Sequence, residues 1–232
     1  MSIHDGHRQR LKERFRKEGL EHFDEVNALE LLLFYCVPRR DTNPMAHALL
    51  ERFGSLVQVL EAPEEELMKV PGVTENVALF LHLVMQAGGY YLRSRAAVGT
   101  ILTTVNRCGD YMLPYFVGKR NETVYLLCLD AKCKVLCCKE ISEGSVNYAG
   151  ISTRRVVETA LSSNATSVVL AHNHPSGIAY PSPEDIQTTR RIAAALQAVD
   201  VLLVDHLVVA DDDFVSLAQS GYYDSRDIRA WP

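Results

Sequence analysis

The stretch from His172 to Asp185, HNHPSGIAYPSPED, constrains this chain more than any other part of it. It holds two imidazoles two residues apart, then a Pro-Ser-Gly break, and then Ser182 and Asp185, with six residues between Pro175 and Ser182. Three protein ligands of the N and O type leave the fourth position of a tetrahedral ion open, which is typical of a catalytic zinc site. A fold that uses this pattern must bring a strand end and a helix start together.

The apolar run over residues 166–172 predicts a buried strand, because it is short and rich in β-branched side chains. His172 and His174 are two residues apart, so we expect both to point to the same side of that strand. Pro175 and the Ser-Gly pair after it then end the strand. A histidine pair at a strand end also occurs without any metal, so the pair by itself leaves both interpretations open.

A helix is predicted over residues 183–199. Ser182 suits its N-cap, and Pro183 suits its first position. Asp185 would then lie in the first turn, close to the strand end if the connecting loop folds back. Ser182 and Asp185 also resemble a capping box in which the carboxylate only satisfies backbone donors. We favour a metal site, because the combined pattern is much rarer than its parts.

The second half of the chain alternates strands and helices. This order predicts an α/β or α+β layer with helices packed on a mixed sheet. The expected elements are a helix over 104–116, strands over 123–130 and 133–142, a helix over 153–163, and strands over 201–210 and 213–216.

The first half reads as a small all-α domain over residues 1–95, followed by a linker over 96–100 and a second domain over 101–232. Helices are expected near 25–37, 44–53 and 74–95, because apolar residues recur there with helical spacing.

Residues 67–74, LMKVPGVT, resemble one helix-hairpin-helix motif, whose backbone N–H groups contact a DNA phosphate. Gly72 and Val73 suit the turn, but Thr74 stands where a second glycine is expected. Weak nucleic-acid contact through Gly72, Val73 and Thr74, and a plain helical turn, both stay open.

Charge and composition exclude several classes. The net charge of −5 is not that of a general nucleic-acid binder, and the one basic cluster, residues 7–17, suits either a solvated helix face or a phosphate contact. No apolar run is long enough to span a membrane, and no secretory signal is visible, so we expect a cytoplasmic protein without membrane partners. None of the six cysteines forms a Cys-x2-Cys pair, which argues against a cysteine zinc site and for buried thiols.

The stretch from His172 to Asp185 matches the signature of the JAMM (JAB1/MPN) metalloproteases without a gap. Residues 121–222 also resemble the RadC-type proteins, a branch of that fold, through VYLLCLD, GSVNYAGISTRRVVETAL, VVLAHNHPSG, PSPEDI, LLVDHLVVA and SLAQSGYY. The resemblance implies a JAB1/MPN-like (cytidine-deaminase-like) mixed sheet behind a helical domain. One departure is Arg155, which stands where RadC-type proteins usually carry a Glu.

The resemblance further implies a zinc-dependent hydrolase that cleaves a peptide or isopeptide bond with a metal-bound water. One Zn²⁺ per chain would be held by His172, His174 and Asp185. Glu122 would act as general acid and base, and Glu143 is the less favoured alternative for that role. Ser182 would hydrogen-bond the oxyanion of the tetrahedral intermediate.

Other interpretations stay open beside the hydrolase. A DNA-binding or DNA-repair accessory protein of the RadC type would use the N-terminal domain, with a structural or weakly active JAB domain. An HNH nuclease fits poorly, because those enzymes do not place the three residues consecutively. Manganese or iron would suit an N/O site as well as zinc. His206 is expected to be a satisfied core histidine rather than a group that faces the site, and self-association into a homo-oligomer is undecided.

Overall fold

The computed structural model describes residues 3–95, 98–144 and 151–223. These residues form an α+β fold, in which a helical region precedes a mixed sheet of five strands. The chain divides into two compact units, one up to Gly88 and one from Gly89 onward. The fold class expected from the sequence is therefore confirmed.

The first unit is built from helices that enclose a main apolar core, with a smaller cluster formed by Leu11, Leu31 and Phe34. The core is formed by buried leucines, valines and alanines, among them Leu29, Leu33, Leu49 and Leu81. Its helices, the last of which continues into the second unit, are α1 (Ile3–Glu18), α2 (Glu25–Cys36), α3 (Asn43–Phe53), α4 (Leu56–Glu61), α5 (Glu64–Leu67) and α6 (Glu75–Arg95).

The second unit contains a sheet in the order β2-β1-β3-β4-β5. The central strand β3 runs antiparallel to β1 and parallel to β4, while β2 and β5 pair antiparallel at the two edges. The elements are α7 (Val105–Phe116), β1 (Thr123–Leu129), β2 (Val135–Glu143), α8 (Thr153–Ser162), β3 (Ser167–Asn173), α9 (Pro183–Gln197), β4 (Leu202–Ala210) and β5 (Asp213–Ser216).

Helices cover both faces of this sheet, so β1 and β3 are buried along their whole length. Side chains alternate between faces along a strand. On β3, Val168 and Leu170 pack in the cluster that contains residues of α8 and α9, whereas Val169 and Ala171 pack in the cluster that contains residues of α7. His172 shares the parity of Leu170 and therefore faces α9.

The structure adds detail that the sequence patterns did not give. The short helices α4 and α5 were not predicted, since six and four residues are too few for a helical period to stand out. The proposed domain bounds of 1–95, 96–100 and 101–232 stay a prediction. Four parts of the predicted segments lie outside the described residues: 1–2 at the start of the helical domain, 96–97 in the linker, 145–150 in the resembling run that starts at Gly144, and 224–232 at the end.

Candidate metal centre

The two histidines of the stretch lie at the end of the central strand. His172 is the penultimate residue of β3, and His174 follows it, with its backbone N–H donating to the carbonyl of Val209 on β4 at 2.8 Å. The chain then turns at Gly177, whose φ of +79° favours glycine and whose N–H donates to the carbonyl of His174. The imidazole centroids of His172 and His174 are 4.8 Å apart, so the two rings face one site.

Asp185 enters the same site from the first turn of α9. Ser182 is the N-cap, and its hydroxyl accepts a hydrogen bond from the backbone N–H of Asp185 at 3.1 Å. Asp185 Oδ2 in turn accepts from the backbone N–H and the hydroxyl of Ser182, each at 2.7 Å. The capping box is therefore present, and it also fixes the carboxylate that faces the two histidines.

The three candidate ligands fit a single ion. Nε2 of His172 is 3.0 Å from Nε2 of His174 and 3.1 Å from Asp185 Oδ1, while Nε2 of His174 is 3.5 Å from Asp185 Oδ2. With bonds of about 2.0–2.1 Å, ligand atoms of a tetrahedral zinc site lie about 3.3 Å apart. The side chains of His172 and Asp185 are 1% and 2% exposed, and His174 is 13% exposed, so the group is shielded yet open on one side. His172, His174 and Asp185 could therefore hold a metal ion.

Hydrogen bonds on the far side of each ring set which nitrogen carries a lone pair toward the site. His174 Nδ1 lies 3.0 Å from the carbonyl of Ile178, so this nitrogen must donate, and in the neutral ring that could bind a metal the lone pair is on Nε2. His172 Nδ1 lies 2.8 Å from Nε2 of His206. Metal-binding histidines commonly have such an outer partner, which fixes the ring and its tautomer.

A chain of hydrogen bonds extends from His172 into the core. His206 Nδ1 lies 2.6 Å from the hydroxyl of Thr189, and that hydroxyl donates to the carbonyl of Asp185 at 2.6 Å. Because the hydroxyl has one hydrogen, it must accept from His206 Nδ1, so Nε2 of His206 accepts from His172. When His172 is neutral, as a metal ligand must be, this order of bonds leaves the lone pair on its Nε2.

His206 is a buried, hydrogen-bonded core histidine, as expected. It is also a direct hydrogen-bond partner of the candidate ligand His172, which was not expected. The register of β3 and β4 shifts between Val168 and Val169, where Leu203 and Asp205 are the respective partners. The extra residue, Val204, changes the parity of the strand. As a result His206 points to the same face as His172, and the alternation of the sequence alone does not reveal the shift.

Charge in the site is arranged around the buried carboxylate. Burial acts to raise the pKa of Asp185, but hydrogen bonds with His172 and His174 outweigh it and hold the pKa well below the usual range. The hydrogen bond to Asp185 raises the pKa of His174. Desolvation, together with the charge of His172, lowers the pKa of His206. His206 is therefore neutral, as the hydrogen-bond chain requires.

The two candidate acid/base glutamates have different surroundings. Glu122 directly precedes β1, whose Val124 pairs with His172 across the sheet, and its charge contributes to the raised pKa of His174. Glu143, at the end of β2, forms an ion pair with Lys119 at 2.9 Å. Of the two glutamates, Glu122 is the one whose charge contributes to the raised pKa of His174.

The hydroxyl of Ser182 is already engaged in two hydrogen bonds, and the sequence did not predict the one donated to Asp185. Its single hydroxyl hydrogen is directed to Asp185 Oδ2, while its oxygen already accepts from the backbone of Asp185. Ser182 can donate to a substrate oxygen only if its hydroxyl rotates away from Asp185. In the arrangement seen here, it orients the candidate ligand.

Arg155, which replaces the usual Glu of RadC-type proteins, has an alternative contact. Its guanidinium donates to the carbonyl of Glu140 on β2 at 3.3 Å, and the neighbouring Arg154 pairs with Glu158 in the next turn of α8. Neither contact involves the candidate ligands.

Among the described residues, the hairpin stretch of the first unit (residues 67–74) does not bring functional side chains from several elements together. Gly72 adopts a φ of +87° in the turn between α5 and α6, so the turn expected there is present. The basic side chains beside it, Arg52 and Lys69, both pair with Glu66. Three basic residues of the N-terminal cluster also have partners inside the unit: Arg8 on Phe34, Lys12 on Tyr35 and Arg14 on Phe23.

Comparison with protein families identifies the second unit. The family model of the RadC-like JAB domain matches residues 102–222, which include the three candidate metal ligands, Glu122 and Ser182. Within the described residues, no helix is both long and apolar enough to cross a bilayer.

Proposed function

Because the chain belongs to the family of RadC-like JAB domains, we propose that it is a zinc-dependent hydrolase that cleaves a peptide or isopeptide bond. The convergence of Nε2 of His172, Nε2 of His174 and the Asp185 carboxylate carries this proposal. These three groups would hold one Zn²⁺ per chain. An imidazole pair and a carboxylate are a donor set that leaves room for a reacting molecule.

The bound ion would supply a Lewis acid and would lower the pKa of a coordinated water to about 7. The residues of the chain would transfer protons and would orient the metal ligands. Glu122 would accept a proton from the attacking water and return it to the leaving amine, which is the usual division of work for a carboxylate beside a zinc site. His206 and the carbonyl of Ile178 would keep the two ligand rings in their metal-binding tautomers.

Ser182 has two roles in this proposal, which follow one another. Before reaction it holds Asp185 through its hydroxyl hydrogen. After rotation of that hydroxyl, it would donate to the negative oxygen that develops on the substrate carbonyl. The backbone N–H of Ser182 still bonds Asp185 Oδ2, so the carboxylate keeps one of its two partners during the rotation.

The substrate class and the location are parts of the same proposal. A peptide or isopeptide bond is favoured by the kinship with JAMM metalloproteases. A cytoplasmic location is favoured by six free cysteines, since disulfides are rare in that reducing compartment. DNA repair and DNA contact through Gly72, Val73 and Thr74 are less favoured, because the basic residues beside the turn are already paired with Glu66.

The direct test is hydrolysis of a fluorogenic peptide library and of an isopeptide-linked peptide pair. Purified protein would be assayed as isolated, after chelation, and after one equivalent of zinc is restored, beside His174→Ala. We expect cleavage that chelation abolishes and zinc restores, with none in His174→Ala. Cleavage that persists after chelation or in His174→Ala would contradict a metal hydrolase, and a zinc-loaded protein that cleaves no probe would favour a binding module.

A further inference from the structure

We propose that Asn173 is a positioning residue that fixes the backbone of Glu122. Asn173 is the last residue of β3 and lies between the two histidines, but its side chain points to the face opposite His172. It is only 6% exposed and forms no bond with the candidate ligands that its neighbours provide. Its amide instead reaches across 50 residues of sequence to the segment that leads into β1.

The amide of Asn173 holds the peptide groups on both sides of Glu122. Oδ1 accepts from the backbone N–H of Thr123 at 2.8 Å, and Nδ2 donates to the carbonyl of Asn121 at 3.2 Å. A longer contact of 3.5 Å runs from Nδ2 to the carbonyl of Lys119. Because one peptide group precedes Glu122 and the other follows it, both backbone torsions of Glu122 are restrained by one side chain.

A second contact completes the restraint from the other neighbouring strand. The carbonyl of Glu122 accepts from the N–H of Gly144 at 3.0 Å, so the peptide group between Glu122 and Thr123 is bound at both of its polar atoms. A peptide group is planar, and fixing its N–H and its C=O fixes its plane. Glu122 therefore leaves the backbone in a set direction, although it lies just before the strand.

Only an amide satisfies this arrangement. Thr123 offers a donor, whereas Asn121 and Lys119 offer acceptors, so the residue at position 173 needs one acceptor and one donor group side by side. A carboxylate would keep the bond to Thr123 but would place an oxygen against two carbonyls. The alternating histidine-asparagine-histidine order thus places ligands on one face of the strand end and the restraint on Glu122 on the other.

The inference rests on the proposed acid/base role of Glu122, and it can be tested partly without a substrate. Hydrogen–deuterium exchange would be followed for the amides of residues 119–124 in wild type, Asn173→Ala, Asn173→Asp and the control Thr166→Val. Thr166 donates to the carbonyl of Leu129 at the opposite end of the same strand pair. We expect exchange at Thr123 to rise at least about tenfold in Asn173→Ala, to rise less in Asn173→Asp, which keeps the acceptor for Thr123, and to stay unchanged in the control. Zinc affinity should remain within about threefold of wild type, since the ligands are untouched.

Hydrolysis of the peptide or isopeptide probe then separates positioning from a general loss of structure. We expect Asn173→Ala to lower kcat by about 10–100-fold with little change in KM, because Glu122 is misplaced while binding persists. In a Glu122→Gln background the same substitution should have almost no further effect.

Two results would overturn the inference: unchanged exchange at Thr123, or an Asn173→Ala effect on kcat that is equally large in the Glu122→Gln background. If zinc-loaded wild type cleaves no probe, the proposed hydrolase function fails. The exchange result alone then decides whether Asn173 holds the backbone of Glu122.

Discussion

Two short stretches of this chain resemble functional motifs, but distant side chains converge on only one of them among the described residues. The stretch from His172 to Asp185 gathers side chains from β3, β4 and α9 around three candidate ligand atoms. The hairpin stretch, residues 67–74, forms a turn at Gly72, with neighbouring basic groups neutralised by Glu66. A short sequence pattern indicates a functional site more strongly when residues distant in sequence hydrogen-bond the outer sides of its side chains, as His206 does for His172.

The largest expected effect is on catalytic rate, and it distinguishes the two candidate acid/base glutamates. Glu122→Gln should lower kcat/KM on a cleaved probe by about 10²–10⁴-fold, with zinc retained, because a general base is lost and no ligand is removed. Glu143→Gln is the matched control and should stay within about threefold, since this exposed carboxylate pairs with Lys119 rather than with a candidate ligand among the described residues. Steady-state rates with zinc content measured in parallel would check this. Equal losses in the two variants would remove the assignment of Glu122.

The second prediction tests the contact behind the ligand His172. His206→Leu should weaken zinc binding by about 10–100-fold, because the Nδ1–H of His172 loses its acceptor. His206→Gln should lose less, since its amide oxygen can accept the same hydrogen. Competition with a chelator of known affinity measures both, and circular dichroism confirms that the variants fold. Wild-type affinity in His206→Leu would show that the hydrogen-bond chain does not tune the site.

Each stretch also contains one glycine with positive φ, which allows a matched comparison. Gly177→Ala should strain the turn at +79° and displace His174, lowering zinc affinity by about tenfold. Gly72→Ala, at +87°, should cost about 1 kcal/mol of stability in the first unit and leave zinc affinity unchanged. Chelator competition and thermal unfolding separate the two outcomes. A loss of zinc in Gly72→Ala would contradict the separation of the two motifs.

The smallest expected effect is on nucleic acid. The protein should bind duplex DNA no more tightly than about 10⁻⁴ M at physiological salt, because Arg52 and Lys69 are already paired. Fluorescence anisotropy across a salt series is the measurement. Submicromolar binding that Gly72→Ala removes would restore the hairpin as a DNA contact.

Sequence reasoning reached the parts of the site that local spacing determines. Alternation along a strand predicted that His172 and His174 share a face, and helix-capping chemistry predicted the positions of Ser182 and Asp185. The approach of Asp185 to the histidines was expected only on the condition that the loop between them folds back. The strand and helix pattern likewise predicted the sheet and its covering helices.

The remaining features depend on contacts that no local period encodes. His206 reaches His172 because Val204 shifts the parity of β4, and Asn173 reaches Thr123 across 50 residues. Both side chains hydrogen-bond buried polar groups on a neighbouring strand. Which strands are neighbours cannot be predicted from local spacing, so these partners could not be predicted either. The hydrogen bond from the Ser182 hydroxyl to Asp185 Oδ2 also depends on side-chain conformations that the sequence pattern does not specify.

The proposed function depends first on whether His172, His174 and Asp185 hold a zinc ion. Zinc binding is tested most directly by metal content per chain, measured by mass spectrometry in protein purified without added metal. Wild type, His174→Ala and the control His47→Ala, an exposed histidine of α3, would be compared. We expect about one zinc per chain in wild type and in His47→Ala, and none in His174→Ala. No zinc in any of the three, even after zinc is offered, would mean that Ser182 and Asp185 are mainly a helix cap.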